Sequence, residues 1–217
     1  MGRPATDRSR VFNVLCAGVG GQGVVLAAAV IARAAIAAGC DAKKSEVHGL
    51  AMRGGAVQSH VRFGGRVMSP LVPPGETDVL VGFEELEALR FAPAVRAGGA
   101  AIVNLRRLNP APVAAGRVPY PEGAPDRMRA RIARVLAVPA EELARAAGNP
   151  RSENFVILGV TATLLPLPPA AWQAALAGSL PYKPGDVNLR AFALGLRFGV
   201  PADAPSPRPA PEAREQH

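Results

Sequence analysis

Three glycines, Gly18, Gly20 and Gly23, stand in G-x-G-x-x-G spacing in the string GVGGQG (18–23), between an apolar run at 11–17 and an Ala-rich run at 24–38. Glycine lets a backbone turn sharply and approach a neighbour closely. The pattern therefore predicts a buried strand over 11–17, a turn, and a helix over 24–38 closed by Gly39. That helix is apolar nearly all round, which places it inside the protein. Strand, glycine turn and buried helix together open a βαβ unit. The turn offers free N–H groups and the positive end of a helix dipole, which suit a phosphate. The other reading is that the glycines only let strand and helix pack. A dinucleotide fold would add an acidic residue about 20 positions on, for a ribose. Glu46 stands near that offset, with Lys43 and Lys44 ahead of it.

A weaker extended segment follows Cys40-Asp41 as far as Glu46, and then comes the glycine-rich stretch HGLAMRGG (48–55). Over 56–63 the chain alternates, with Val57, Ser59, Val61 and Phe63 on one face and Gln58, His60 and Arg62 on the other, as a strand requires. Gly64-Gly65 is a candidate hairpin turn with 66–68 as a short partner strand. Buried strands are expected at 78–82 and 100–104, and a short helix at 84–91. Residues 110–125 are rich in proline and loop-like, and helices are expected at 126–136, 140–147, 154–165 and 187–198. Asp186 caps the start of the last helix and Gly199 its end. The fold class is α/β: a Rossmann-like, mainly parallel sheet flanked by helices, with an inserted hairpin and a helical C-terminal part. The expected layout is a flexible start over 1–10, one domain over 11–200 and a disordered Pro-rich tail over 201–217.

The chain has 217 residues, 49% apolar and 19% charged, enough for one α/β domain with a substantial core. The formal charge of +8 is scattered and is not interleaved with the few aromatics. No stacking platform for nucleic acid results, and an acidic protein partner or plain solubility suits the charge better. The most apolar run, 24–38, is interrupted by Arg33 and too short to span a bilayer, and the N-terminus has no apolar signal region. A soluble, cytoplasmic protein with no membrane role is expected. Cys16 and Cys40 lie 24 positions apart and form no C-x-x-C, so they cannot hold an iron–sulfur cluster alone. Both read as small buried residues in a reducing compartment.

The second polar constellation is Glu46, His48 and Arg53, an acid, an imidazole and a fixed cation around a glycine-rich turn. Each has a plain alternative, to cap a turn or solvate a loop. Paired carboxylates, a serine nucleophile elbow and metal-ligand spacing are all missing from the sequence, which reads as a binding fold without its own catalytic machinery.

Taken jointly, G-x-G-G-Q-G-V (18–24), E-V-H-G-x-A-M-R-G-G-x-V-x-S (46–59) and S-P (69–70), in this order and spacing, resemble the gamma-type subunit of 2-oxoacid:ferredoxin oxidoreductases, most closely the indolepyruvate type. The likeness covers about residues 11–200, with N-F-V-I-L-G (154–159) and N-L-R-A-F-A-L-G (188–195) also of familial type.

The resemblance implies oxidative decarboxylation of a 2-oxo acid, with electrons passed to ferredoxin. Thiamine diphosphate, Mg²⁺ and [4Fe–4S] clusters are then expected in a large partner subunit, with none of them bound by this chain alone, and CoA is a possible ligand. It implies that Gly18, Gly20, Gly21, Gln22, Gly23, Glu46, Gly54 and Gly55 wall a cofactor-side interface, with His48 and Arg53 as the candidate reactive residues. The alternative is an NAD(P)-binding Rossmann protein acting alone.

Overall fold

The first strand, β1 (Phe12–Val19), is buried along nearly its whole length, so it must lie inside a sheet with cover on both faces. The computed structural model describes residues 10–48, 55–179 and 186–200. In it, β1 is followed by α1 (Val24–Ala37), β2 (Asp41–His48), β3 (Ala56–Gly64), β4 (Thr77–Gly82), α2 (Glu85–Phe91) and β5 (Val95–Asn104). Then come α3 (Ala111–Ala114), α4 (Ala124–Arg129), β6 (Arg134–Val138), α5 (Ala140–Ala147), α6 (Glu153–Leu164), α7 (Pro169–Ala177) and α8 (Val187–Gly199). The six described strands form one sheet in the order β2-β3-β1-β4-β5-β6. Strands β1, β4, β5 and β6 run parallel, and β3 is antiparallel to both its neighbours.

Alternate side chains of the sheet feed two cores. Val14, Cys16, Val61, Phe63, Val79, Val81 and Ile102 pack with α1 and α5–α8. Leu15, Ala17, Leu80, Ala101 and Val103 pack with α2 and α4 on the other face. Beneath the sheet, the buried Asp78 carboxylate accepts from the Asn13 amide at 2.8 Å and pairs with Arg96 and Arg10.

Several expectations are corrected. Gly64-Gly65 is not a hairpin turn: both edges of β3 are already taken by β1 and β2, leaving no ladder for residues 66–68. Instead the Val67 amide donates to the Asp41 carboxylate at 2.7 Å, and the chain leaves the sheet. The hairpin-like pair is β2 with β3, across a connection (49–54) outside the described residues. The opening βαβ unit is also modified, because β3 lies between β1 and β2. The helix expected over 126–136 divides into α4 and β6. Its arginines favour a helix, but Val135, Leu136 and Val138 complete the open edge of β5, and tertiary pairing overrides propensity. Helix α7 was not anticipated, and the loop expected over 110–125 contains α3. Asp186 caps α8 as expected, accepting from the Asn188 amide at 2.6 Å, while Gly199 lies within α8 against Thr163. The expected tail lies outside the described residues.

The segments 154–159 and 188–195 meet where α6 crosses α8. A Cβ on Gly159 would stand 2.1 Å from the Phe192 carbonyl oxygen, and one on Gly195 would stand 2.0 Å from that of Val156. Backbones this close leave no room for a methyl group. Gly159→Ala is expected to push the helices apart and to destabilise the chain by about 1–3 kcal/mol, read by urea unfolding.

His60 ties β3 to the proline-rich loop after it, its Nδ1 accepting from the Val72 amide at 3.2 Å. Half-burial holds its pKa below the usual value, so the folded state prefers the neutral ring. Its contribution is therefore complete above the unfolded pKa, about 6.5, and fades as pH falls through the lower folded value. Thermal unfolding between pH 8 and pH 5 is expected to show this loss, and His60→Gln to reduce it.

Candidate functional site

Beyond its pairing with β4, β1 sends the chain to α1 on one face, whereas β4 sends it to α2 on the other. Parting chains leave a crevice at the carboxyl ends of the strands, the usual ligand position in open α/β sheets. A cleft of about 590 Å³ lies there. Its walls come from the loop after β1 (Gly20, Gly21, Gln22), from Phe83 after β4, from Arg106 and Leu108 after β5, and from the approach to α6.

The glycine loop is built for shape. Gly21 and Gly23 have φ of 101° and 81°, a region side chains strain to enter, whereas Gly20 does not. Gly18 and Gly23 are places of close approach: a Cβ on Gly18 would stand 2.8 Å from Phe83, and one on Gly23 2.6 Å from the Asn154 side chain. Gln22 staples the loop to its neighbours. Its Oε1 accepts from the Val19 amide at 2.8 Å, and its Nε2 donates to the Phe83 carbonyl at 3.0 Å. The Gly20 amide donates to the Gly55 carbonyl at 2.9 Å, joining the two glycine motifs through the backbone.

On the opposite wall, the buried Asn104 donates to the Phe83 carbonyl at 3.3 Å and to Glu153 at 3.0 Å. Arg106 pairs with Glu153 at 2.5 Å and Glu141 at 3.4 Å, so its charge is compensated. Arg151 is exposed at the rim, and among the described residues its guanidinium has no hydrogen-bond or ion-pair partner. One cation is therefore available to an anion entering from solvent.

The sequence-predicted residues divide. Gly20, Gly21 and Gln22 line the cleft, and Gly18, Gly23 and Gly55 support it. Glu46 lies in β2 opposite Ser59 and pairs with Lys44. With β3 interposed, β2 runs two strand spacings from β1, about 9–10 Å, so Glu46 is displaced from the ribose position of a dinucleotide fold. The main chain of His48 ends β2 opposite Val57, while Arg53 and Gly54 lie outside the described residues. Asn104, Arg106, Glu141, Arg151, Glu153 and Asn154 were missed. Asn104 ends and Arg106 follows the parallel strand β5, and the N-P-R-S-E-N run (149–154) leads into α6, with the Asn149 side chain accepting from the Arg151 amide at 3.0 Å. Those two positional signals were present in the sequence.

Cys16 is fully buried and its thiol is pushed up to about 12, so it stays protonated at neutral pH. Among the described residues no group of His, Cys, Asp or Glu is placed to hold a metal ion, and no helix is long and apolar enough to cross a membrane. A larger hollow of about 1160 Å³ between α6, α7 and α8 is lined mainly by apolar side chains such as Trp172, Phe192 and Leu196, and it gathers no titratable pair.

Residues 13–198 match the family model described as pyruvate ferredoxin/flavodoxin oxidoreductase. The chain belongs to that family. It is 37% identical over 193 residues to the indolepyruvate oxidoreductase subunit IorB of Thermococcus kodakarensis, covering 86% of this chain and 95% of that one. Among solved structures, the gamma subunit of a keto/oxoacid ferredoxin oxidoreductase from Geobacter sulfurreducens superposes with a TM-score of 0.64 at 23% identity, over 87% of this chain and 98% of that one. A 2-oxoglutarate:ferredoxin oxidoreductase from Magnetococcus marinus, solved with 2-oxoglutarate, coenzyme A and succinyl-CoA, gives 0.65 at 21% identity, over 88% of this chain and 31% of that one. These two likenesses concern the fold, a mixed and mostly parallel sheet flanked by helices.

In this family member the Gln22 staple satisfies two backbone groups at once. Gln22→Leu keeps the bulk and removes both bonds, and it is expected to cost about 1–3 kcal/mol in thermal unfolding of the isolated chain.

Proposed function

We propose that this chain is the gamma-type subunit of a thiamine-diphosphate-dependent 2-oxo acid:ferredoxin oxidoreductase acting on arylpyruvates of the indolepyruvate kind. The observation that carries the reading is the 37% identity over nearly the full length of an indolepyruvate oxidoreductase subunit, combined with a switch-point cleft whose glycine loop is stitched to the second family motif. The reaction is oxidative decarboxylation, with the acyl group passing to CoA and two electrons to ferredoxin.

A large partner subunit carries the thiamine diphosphate, Mg²⁺ and [4Fe–4S] clusters, and the buried, protonated Cys16 suits a chain that holds none of the clusters. This chain walls the CoA side of the interface. The cleft suits the phosphate-bearing part of such a ligand: Gly20 and Gly21 allow close backbone approach, and Arg151 supplies the uncompensated charge at the rim. Asn104, Arg106 and the two glutamates hold the walls in place. His48 and Arg53, from the motif joined to Gly20, are the candidate reactive residues of that interface. The complex works in the cytoplasm.

The G-x-G-x-x-G spacing favours a second reading, an NAD(P)-binding protein acting alone. Calorimetry distinguishes the two, because micromolar binding of either nucleotide by the isolated chain would support the second and none is expected. The chain purified alone is expected to be colourless and inactive, gaining activity on adding the large subunit, and an iron-loaded brown preparation would overturn the subunit reading. Arg151→Ala and Arg53→Ala should each leave the stability of the isolated chain within about 0.5 kcal/mol. In the reconstituted complex Arg151→Ala is expected to raise KM for CoA, and Arg53→Ala to cost assembly or turnover by about 2–5 kcal/mol. Variants with full activity and an unchanged KM would remove these residues from the site.

A further inference from the structure

Residues 105–123 form a strap between β5 and α4, and almost none of its side chains is buried. Such a segment needs polar tethers to keep one position. Its tethers converge on one group. Glu84, only 1% exposed, caps α2 by accepting from the Glu87 amide at 2.9 Å. Its other oxygen accepts from the Leu108 amide at 3.2 Å, at the start of the strap, and from the Tyr120 hydroxyl near its end. The Leu86 amide donates to that hydroxyl at 3.1 Å, so the phenol closes a chain of bonds from α2 to the strap. Pro119 and Pro121 stiffen the backbone on either side of Tyr120. Arg107 lies over its ring, 5.3 Å from the centroid, and pairs with Glu85 at 3.3 Å and Glu122 at 2.7 Å. The strap thus begins and ends on a single carboxylate oxygen. Its first residues, Arg106 and Leu108, are wall residues of the cleft, and the Arg106 carbonyl accepts from the Glu85 amide at 3.0 Å.

We infer that Tyr120 and Glu84 are positioning residues for the cleft: the phenol latches the strap to the buried carboxylate and so holds Leu108 and Arg106 on the cleft wall. Neither residue lines the cleft itself. The latch stands on the geometry alone, and its effect on turnover rests on the reading of the cleft as the CoA side of the complex.

The test uses Tyr120→Phe, which keeps the ring under Arg107 and removes only the hydroxyl. Amide hydrogen exchange in the isolated chain is expected to quicken about fivefold to tenfold at Leu108 and Glu85, while α1 amides keep their rates. Exchange that quickens only within residues 109–119, or evenly across the chain, would overturn the inference. Arg107→Ala, at a residue 44% exposed, serves as a second variant that folding failure cannot obscure, with the same pattern expected at smaller size. In the reconstituted complex, Tyr120→Phe is expected to raise KM for CoA with little change in kcat, whereas His60→Gln, which loosens only the loop bonded through Val72 and lies off the cleft lining, changes melting without moving KM. Loosened strap amides with an unchanged KM would leave the latch standing and overturn the assignment of CoA to this cleft. Unchanged amides would overturn the latch whatever KM does.

Discussion

At the end of the β1–β4 pairing the Phe83 amide donates to the Ala17 carbonyl at 2.8 Å, and immediately beyond it the two chains turn to opposite faces of the sheet. The Phe83 carbonyl, freed from the ladder, then receives the side-chain amides of Gln22 and Asn104. One backbone oxygen therefore ties together the loops after β1 and β4 and the last residue of β5. Buried carbonyls need partners, and here the partners are residues that also define a cleft. The glycine spacing that looks like a phosphate cradle serves this convergence first: Gly18 lets Phe83 and Gln22 close in, and Gly23 makes room for Asn154.

Strand β4 is bracketed by two buried carboxylates whose partners differ in kind. Asp78, near its entry, is met by Arg96 and Arg10 in addition to a backbone amide. Glu84, just past its exit, is met by two backbone amides and a phenol, all formally neutral donors. A buried ion pair broken on one side leaves a stranded charge, so the Asp78 end reads as a rigid base. A carboxylate held by neutral groups at the N-terminus of α2 is stabilised by several small contributions, the helix dipole among them. The exit of β4, the start of α2 and the strap meet at this second carboxylate, and two of them supply cleft residues, Phe83 next to Glu84 and Leu108 on the strap.

The parts of the fold legible in the sequence are those where local pattern and tertiary demand agree. The apolar run of β1, the α1 helix that is apolar nearly all round and closed by Gly39, and the alternation of β3 each announce their burial directly. Strand β6 was hidden because Arg127, Arg129, Arg131 and Arg134 lie on one segment of good helix formers, and only the vacant edge of β5 makes a strand of residues 134–138. The false hairpin at Gly64-Gly65 failed for the opposite reason, since no vacant edge remained beside β3. At the site, the glycines were legible because their need is local. Asn104, Arg106 and Glu153 were not, because they lie far apart in sequence and acquire a role only when β5 and α6 arrive together. Glu46 shows the converse, a residue at the expected offset that one interposed strand carries away from the cleft.

The crossing of α6 with α8 completes the dependence. Asn154 and Glu153 reach the cleft from the first turn of α6, so the height and tilt of that helix set where their side chains end. Gly159 and Gly195 let α8 press backbone to backbone against α6, a contact with little freedom to slide. At the foot of the same pair, Ser152 donates from its hydroxyl to the Asn188 side chain at 2.7 Å, and Arg190 donates to the Ala147 carbonyl at 3.0 Å. Helix α8 thus holds both the start of α6 and the end of α5, the helix that carries Glu141. The two glutamates that neutralise Arg106 come from those two helices. A helix that never touches the cleft therefore fixes the separation of the carboxylates that decide how much positive charge the cleft shows. Once Arg106 is neutralised from that side, the remaining cation among the described residues of the cleft is Arg151, carried on the short turn between the same two helices.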